Sequence, residues 1–392
     1  MPEKYPFTRR RRSVFHSVKP TQISARILRE SSREKPADAV LRETLKRTRD
    51  LAPFDATEIS KTVFAYFRWR GWLDAEKTIE TQIPRALELA SRFHRDPFSF
   101  PLEELRAKVV PNWISDEIEI SDNWLRALQT EPKLWLRAKR GHGIDLAKKF
   151  GDCRVFSEVF SDTLEYFGEM DLFRTPEFHA GEFELQDISS QAVGLICNPK
   201  SGETWWDACA GEGGKLLHLS ELMENKGLIW AGDRAGWRLQ KLKRRTARAK
   251  VFNYRSTIWD GGAKLPTKTK FDGVLVDAPC SGIGTWQRNP HARWTLTSQD
   301  VKELSAIQMQ LLSNAAATVK PGGKLIYSVC TLTQSETNKI ADEFESRFPD
   351  FKPLRVENPL CGEASKSARI WIWPQDCGGN GMFIAIWEKT AK

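Results

Sequence analysis

Between about residue 190 and residue 330 the chain alternates short apolar runs with amphipathic stretches, and this alternation constrains the fold most. GETWWDACA reads as a strand ending at Asp207, followed by a glycine loop and a helix over 215–224. LIWAGD is a second strand, and the helix after it carries Arg238, Lys241, Lys243, Arg244 and Arg245. KVFNY, FDGVLVDA and GKLIYSVC are further strands, and 299–319 is a long helix. Apolar strands joined through helices predict a mainly parallel sheet with helices on both faces, an α/β, Rossmann-like arrangement. Ligands bind such a sheet at the carboxyl ends of its strands, so the residues just after each strand carry the chemistry.

DACAGEGGK places Asp207, Cys209, Ala210, Gly211, Gly213, Gly214 and Lys215 at the first of these ends. Glycines let backbone approach a ligand closely, and a helix start offers free N–H groups. Asp233 ends the next strand, about twenty residues on, where an acid can accept both ribose hydroxyls of a nucleoside cofactor. Arg234 and Arg238 follow it and are assigned to the same site. Asp260 is either a partner for an adenine amino group or a turn residue before Gly261-Gly262. The spacing does not separate a dinucleotide from S-adenosylmethionine.

Two cysteines follow two further strands. DAPCSGIGTWQRNPHARW contains Asp277 and Cys280, and YSVCTLTQSETN contains Cys330. A free cysteine is ordinarily a small buried hydrophobe. Two on one rim of a sheet, one inside Asp-Ala-Pro-Cys, point to thiol chemistry in a shared crevice.

These segments resemble the Sun/RsmB (Fmu) family of RNA cytosine-5 methyltransferases. DACAGEGGK is similar to its cofactor loop, DAPCSGIG to its Asp-Ala-Pro-Cys-Ser-Gly motif and YSVCTL to its Thr-Cys-Ser segment. FELQDISSQ resembles its Gln-Asp-x-x-Ser lead-in and NGMFIAIWEK its Gly-Phe-Phe ending. The resemblance runs from about residue 180 to the C-terminus, with departures. Glu212 stands where the family loop has proline, Leu216 where it has threonine, and Val329 precedes Cys330 in place of threonine. Arg137-Ala138-Lys139 takes the place of an Arg-Val-Asn segment. The resemblance implies a class I S-adenosylmethionine-dependent methyltransferase. Cys330 would be the nucleophile toward carbon 6 of cytosine, and Cys280 would assist release. Asp277 would hold the base's amino edge, and Lys215 is either a ligand of the base carbonyl or a helix-start surface lysine.

The chain has 392 residues, enough for more than one core. Its first part, to about residue 110, reads as helical. AVLRETLKRTRDLA is amphipathic, Asp55 and Glu58 make a plausible capping box for TEISKTVFAYFRWRGWL, and a third pattern spans 85–93. This part looks loosely like the NusB-like RNA-binding domain of RsmB-type proteins. LWLRAK reads as a strand, with Cys153-Arg-Val-Phe156 and Glu182-Phe-Glu-Leu185 weaker candidates. The expected organisation is therefore a basic arm over 1–20 containing Arg9 to Arg12, a helical domain over 21–112, a small α+β RNA-binding module over 113–188 and the methyltransferase domain over 189–392.

Lys and Arg number 60 against 51 Asp and Glu, a net +9 that favours a polyanionic partner. Arg137, Lys139, Arg288 and Arg293 are the expected RNA contacts. Trp286 is open between base contact and core, and Trp294 is expected in the core. The basic helix after Asp233 either tracks phosphates or is a solvated face. Seven cysteines without a Cys-x-x-Cys pair and six scattered histidines predict neither a disulfide framework nor a metal site. No apolar run is long enough to span a bilayer, the N-terminus lacks a secretory pattern and the cysteine usage fits a reducing setting, so a cytoplasmic protein is expected, taken as a monomer by default. The leading reading is a ribosomal RNA methyltransferase, with small-subunit RNA suggested by the resemblance. The alternatives are a transfer RNA enzyme, a DNA cytosine-5 methyltransferase using Cys280 alone, and a non-catalytic RNA-binding assembly factor.

Overall fold

The structure is a computed structural model that describes residues 20–48, 51–360 and 366–391. Apart from Pro20, the basic arm lies outside the described residues. The chain divides into two compact units, 1–89 and 90–392. The first holds helices α1 (Pro20–Glu30), α2 (Ala37–Arg47) and α3 (Pro53–Arg68), and the start of α4 (Ile79–Arg95), which continues into the second. Ile23, Ile27, Val40, Leu41, Ile59, Val63 and Phe67 are buried there, at the helical spacing that the sequence shows. α3 starts earlier than the proposed capping box. Ala52 is its N-cap and Pro53 its first residue, so Asp55 lies inside the first turn. Proline needs no N–H at that position and presets the helical φ, which accounts for the earlier start.

The second unit continues through α5 (Leu102–Lys108) and α6 (Asp122–Gln129) into a small antiparallel sheet. Its strands β1 (Leu134–Ala138), β2 (Cys153–Val155), β3 (Thr163–Tyr166) and β4 (Phe183–Leu185) lie in the order β2-β3-β1-β4. With α7 (Gly143–Phe150) and α8 (Pro176–Ala180), they enclose Leu136, Leu146, Leu164, Tyr166 and Phe183. β3 has no clear sequence signal, because TLEY is four residues long and includes a charge.

The large sheet begins after α9 (Ile188–Cys197) with β5 (Thr204–Asp207), α10 (Gly214–Leu222), β6 (Leu228–Asp233), α11 (Gly236–Ala249) and β7 (Tyr254–Ile258). It continues with β8 (Phe271–Asp277), α12 (Ser298–Ala316), β9 (Val319–Val329), α13 (Asn338–Arg347) and β10 (Phe351–Pro353). Beyond a short pair, β11 (Val356–Glu357) with β12 (Lys366–Ser367), come β13 (Arg369–Ile372), α14 (Pro374–Cys377) and β14 (Met382–Lys389). The order is β10-β14-β9-β8-β5-β6-β7, with β13 beside β14. Strands β9-β8-β5-β6-β7 are parallel, and β14 runs antiparallel to β9.

Alternate residues of each strand feed opposite cores. Trp206, Val274, Val276, Leu325 and Tyr327 pack under α12 and α13, whereas Trp205, Leu275 and Ile326 pack under α9, α10 and α11. Both faces are thus covered, which explains the near-continuous apolar strands. One strand differs from the reading of KVFNY. β7 starts at Tyr254, and Lys250 instead closes α11 in the left-handed region at φ 58°. Asn225 holds the intervening turn, donating to the carbonyl of Lys250 and accepting from the amides of Phe252 and Asn253. Strand order reverses between β5 and β8, and that reversal opens the crevice where the site lies.

Candidate active site

β5 delivers Asp207 to the rim, and the loop behind it is shaped by backbone bonds. The Ala208 amide donates to Leu275, Ala210 to Gly232 and Gly213 to Ala210, at 2.9, 2.8 and 2.8 Å. Gly213 caps α10 at φ +88°, and a Cβ there would sit 2.9 Å from Leu242 Cγ. Asp233, at the end of β6, accepts from the Gly211 amide at 2.9 Å and from Ala235 at 2.8 Å, with Arg238 4.0 Å away. Arg234 and Arg238 are exposed. Glu212, the residue in place of the loop proline, pairs with Lys241 of α11 at 2.7 Å, and its carbonyl accepts from Arg245. The acid therefore ties the loop to α11.

Asp207 is 1% exposed and neither carboxylate oxygen has a partner of normal hydrogen-bond geometry. Burial, reinforced by the charge of Asp277, raises its pKa to about 8 even though Lys215 lies nearby. A buried acid without a donor beside a glycine loop suits a ligand that brings its own ammonium group. Cys209 and Ala210 line the same bend, and burial next to Asp207 holds the Cys209 thiol far above its ordinary value. Asp260 is exposed and accepts from the Gly262 amide at 2.9 Å, the turn contact, while still following β7 at the rim.

β8 and β9 are neighbours in register, with Asp277 opposite Ser328. The chain leaves each strand on the same side, and the sulfurs of Cys280 and Cys330 lie 3.3 Å apart. Asp277 accepts from Lys215 Nζ at 2.6 Å and from Ser328 Oγ at 2.8 Å. Burial opposes the charge on Lys215, but Asp277 outweighs it and holds the ammonium above its ordinary pKa. The Cys330 thiol is lowered, chiefly because Cys280 donates a hydrogen bond to it, with Lys215 assisting and burial, Asp277 and Glu336 opposing. The Cys280 thiol is pushed well up by that same hydrogen bond, by burial and by the negative charge on Cys330. The proton is thus held more firmly on Cys280 than on Cys330, the arrangement of a nucleophile beside a proton carrier.

The basic residues expected to meet RNA divide. Lys139 is exposed. Arg137 is 5% exposed, donates to Gln186 at 2.7 Å and pairs with Glu221, so its guanidinium is committed inside the protein. Arg293 is fully buried and bonds to the carbonyls of Val109 and Leu128 and to Gln129, each at 3.0 Å. An RNA phosphate does not reach a guanidinium placed there, and Arg293 is a cross-link between segments. Arg288 is half-buried, donating to the carbonyl of Lys133 at 3.0 Å and to Asp187 at 3.3 Å. Trp286 is fully buried and belongs to the core, whereas Trp294, expected there, is only partly buried. On α11, Arg245 and Arg248 pair with Glu184, whereas Arg238 and Lys241 lie over the exposed ring of Trp237.

Sequence reasoning passed over Glu336. It is fully buried and accepts from Ser281 and Thr331, the residues that follow the two cysteines. A single acid in the polar run TQSETN has no periodicity to mark it. The lead-in and the ending motif meet in space. Asp187 caps α9 and accepts from the Asn380 amide at 3.0 Å, and Ser189 donates to the Asn380 carbonyl at 2.7 Å. Among the described residues no three His, Cys, Asp or Glu converge as a metal site, and no helix is long and apolar enough to cross a membrane.

Residues 194–388 match the family described as 16S rRNA methyltransferase RsmB/F. A protein of Synechocystis sp. named probable ribosomal RNA small subunit methyltransferase B is 39% identical over 224 residues, 55% of this chain and 49% of that protein. The chain spans about half the length of the first curated relatives that it matches. The crystal structure of PH0851 superposes with a TM-score of 0.77 at 25% identity, over 95% of this chain and 99% of that one. NSun6 from Pyrococcus horikoshii with SFG shares the fold, with a TM-score of 0.60 at 20% identity over 69% of this chain and 94% of that one.

Proposed function

This chain belongs to the RsmB/F methyltransferase family through its domain at residues 194–388, and we propose that it methylates carbon 5 of an RNA cytosine through a covalent bond to Cys330. The observation that carries this reading is the 3.3 Å contact between the two rim sulfurs, next to the Asp277–Lys215 pair. S-adenosylmethionine is the cofactor of the proposal and supplies an electrophilic methyl group to carbon 5. The residues at the rim fit it. Asp207 would offer an unpartnered carboxylate to its ammonium end, 208–214 would offer backbone, Asp233 would hold the ribose hydroxyls and Asp260, at the rim after β7, would meet the adenine edge.

Carbon 5 of cytosine is a poor nucleophile until a thiolate adds to carbon 6. The Cys330 thiolate forms the sulfur–carbon bond, and the displaced π electrons spread over the ring toward nitrogen 3 and the carbonyl oxygen. Asp277 orients the amino edge, and the Lys215 ammonium meets the charge developing on the carbonyl side. Once carbon 5 carries the methyl group, its proton has to leave. Of the influences that keep Cys280 protonated, the hydrogen bond and the charge of Cys330 vanish when Cys330 is bonded to carbon, while burial and Glu336 remain. Cys280 then releases its thiol proton to solvent and takes the proton of carbon 5. The electrons of that C–H bond restore the ring double bond and expel the Cys330 thiolate.

The target base has to be unstacked to reach these sulfurs. The names of the relatives and the net charge of +9 favour ribosomal RNA of the small subunit. Among the basic residues, exposed Lys139 is available for phosphate contact. The decisive experiment is covalent trapping. Cys280→Ala should accumulate an RNA–protein adduct on a denaturing gel, whereas Cys330→Ala should form none. An adduct in the Cys330 variant alone would instead make Cys280 the nucleophile.

A further inference from the structure

We propose that Glu336 is a positioning residue: its buried carboxylate ties the segment after Cys280 to the segment after Cys330, keeps the two sulfurs in contact, and sets which of them holds the proton. The geometry is unusual for a merely structural acid. Glu336 Oε1 accepts from the Ser281 amide at 2.8 Å and from Gln308 Nε2 at 2.9 Å. Oε2 accepts from Ser281 Oγ, from Thr331 Oγ1 at 3.0 Å and from Thr333 Oγ1 at 2.8 Å. Ser281 and Thr331 also bond each other at 2.8 Å, so the residues next to the two cysteines meet over one carboxylate. Gln308 additionally donates to the Pro279 carbonyl at 3.0 Å, which fastens the Cys280 side to α12.

The turn that carries Glu336 is held from outside as well. Glu117 accepts from the Ser335 amide at 3.0 Å and from its hydroxyl at 2.8 Å, and the Glu117 carbonyl accepts from Gln334 at 2.9 Å. Among the described residues no cation pairs with Glu336. Burying an acid without a counter-ion is costly, and an apolar residue of similar volume would pack with less penalty. The acid is favoured here only if both its reach and its charge are used. Reach is evident in donors from both cysteine segments. Charge acts on thiols that are themselves partly buried: Cys280 faces Cys330 and Glu336, while Cys330 faces Cys280, Asp277, Lys215 and Glu336. Lys215, the one cation in this group, acts on Cys330. Glu336 disfavours ionisation of both thiols and Asp277 adds to this at Cys330, but only Cys330 has the Lys215 ammonium and the Cys280 hydrogen bond to offset it, so the proton stays on Cys280.

The inference rests on Cys330 being the nucleophile, but its test uses neither RNA nor cofactor, so it fails or stands apart from adduct trapping. Two variants separate reach from charge. Glu336→Gln keeps an acceptor for the two N–H donors and offers an amide to the three hydroxyls, so the tether persists without the charge. Glu336→Ala removes both. Thiol reactivity is read by iodoacetamide alkylation across pH with peptide mapping. Sulfur contact is read from the equilibrium with glutathione disulfide, in which the two thiols form one protein disulfide and release two glutathiones. In Glu336→Gln the pH profile of Cys280 alkylation should move down by about one unit, a tenfold gain in reactive thiolate at fixed pH. In Glu336→Ala the equilibrium constant for the Cys280–Cys330 disulfide should fall about tenfold or more. An alanine variant that oxidises like the parent overturns the tether. A glutamine variant with the parental alkylation profile overturns the electrostatic role. If Glu336→Ala does not fold, Ser281→Ala with Thr331→Val, which removes two donors, takes its place. A parental disulfide equilibrium in that double variant overturns the tether in the same way, and a weakened one supports it.

Discussion

Asp207 shows how far one side chain can depart from its solution chemistry. An aspartate held at about 8 binds its proton across the neutral range. Its unfolded pKa is near 3.8, so between about pH 4 and pH 8 the folded state holds more protons than the unfolded state, and stability falls as pH rises. Asp207→Asn should remove that slope and raise stability near pH 8 by on the order of several kcal/mol, read from urea melts at a series of pH values. A variant that keeps the parental slope would place the titration elsewhere. The same proton governs the proposed cofactor. A ligand ammonium needs the carboxylate ionised, so affinity should rise up to tenfold per unit between about pH 6 and about 7.5, below the titration of the ligand's own amine. Calorimetry in buffers of different ionisation heat should register a released proton for the parent and none for Asp207→Asn.

The elements place these side chains by backbone contacts that leave no room for a side chain. Gly284 lies in the turn after Cys280. Its amide donates to the Cys330 carbonyl at 3.0 Å, and its own carbonyl accepts from Gly381 at 2.7 Å. A Cβ at Gly284 would overlap the Gly381 carbonyl and crowd that of Cys330. Gly284→Ala should therefore cost about 1–3 kcal/mol and part the two thiols, seen as a lower melting temperature with loss of the trapped adduct. Strand ends, the glycine loop and the long helix were all legible from periodicity, because strands buried on both faces read as apolar runs. β3 and the start of β7 were not. A four-residue strand and an Asn225-held turn are decided by partners distant in sequence, and no local pattern records them.

Across the second unit, buried charge acts as mortar. Arg293 joins the segment after Cys280 to the carbonyls of Val109 and Leu128, which precede the small sheet. Arg293→Met would leave these acceptors buried and unpaired, a loss of about 3 kcal/mol or more and a fall in melting temperature on the order of 10 °C. At a temperature where the variant is folded, the salt dependence of RNA affinity should match the parent, whereas a phosphate contact would lower its slope by about one. What the amino-acid order determined unaided was the alternation of elements, and with it the sheet, the crevice at its rim and the pair of thiols that the strand ends bring there. Those follow from side-chain period and chain direction, which are local properties. Tertiary structure alone decided which arginines face water, that Asp207 lacks a donor, and that Glu336 joins the two cysteine segments. Burial and hydrogen-bond partners depend on what the rest of the chain brings to a point in space, and a basic or acidic letter reads the same on either side of that boundary.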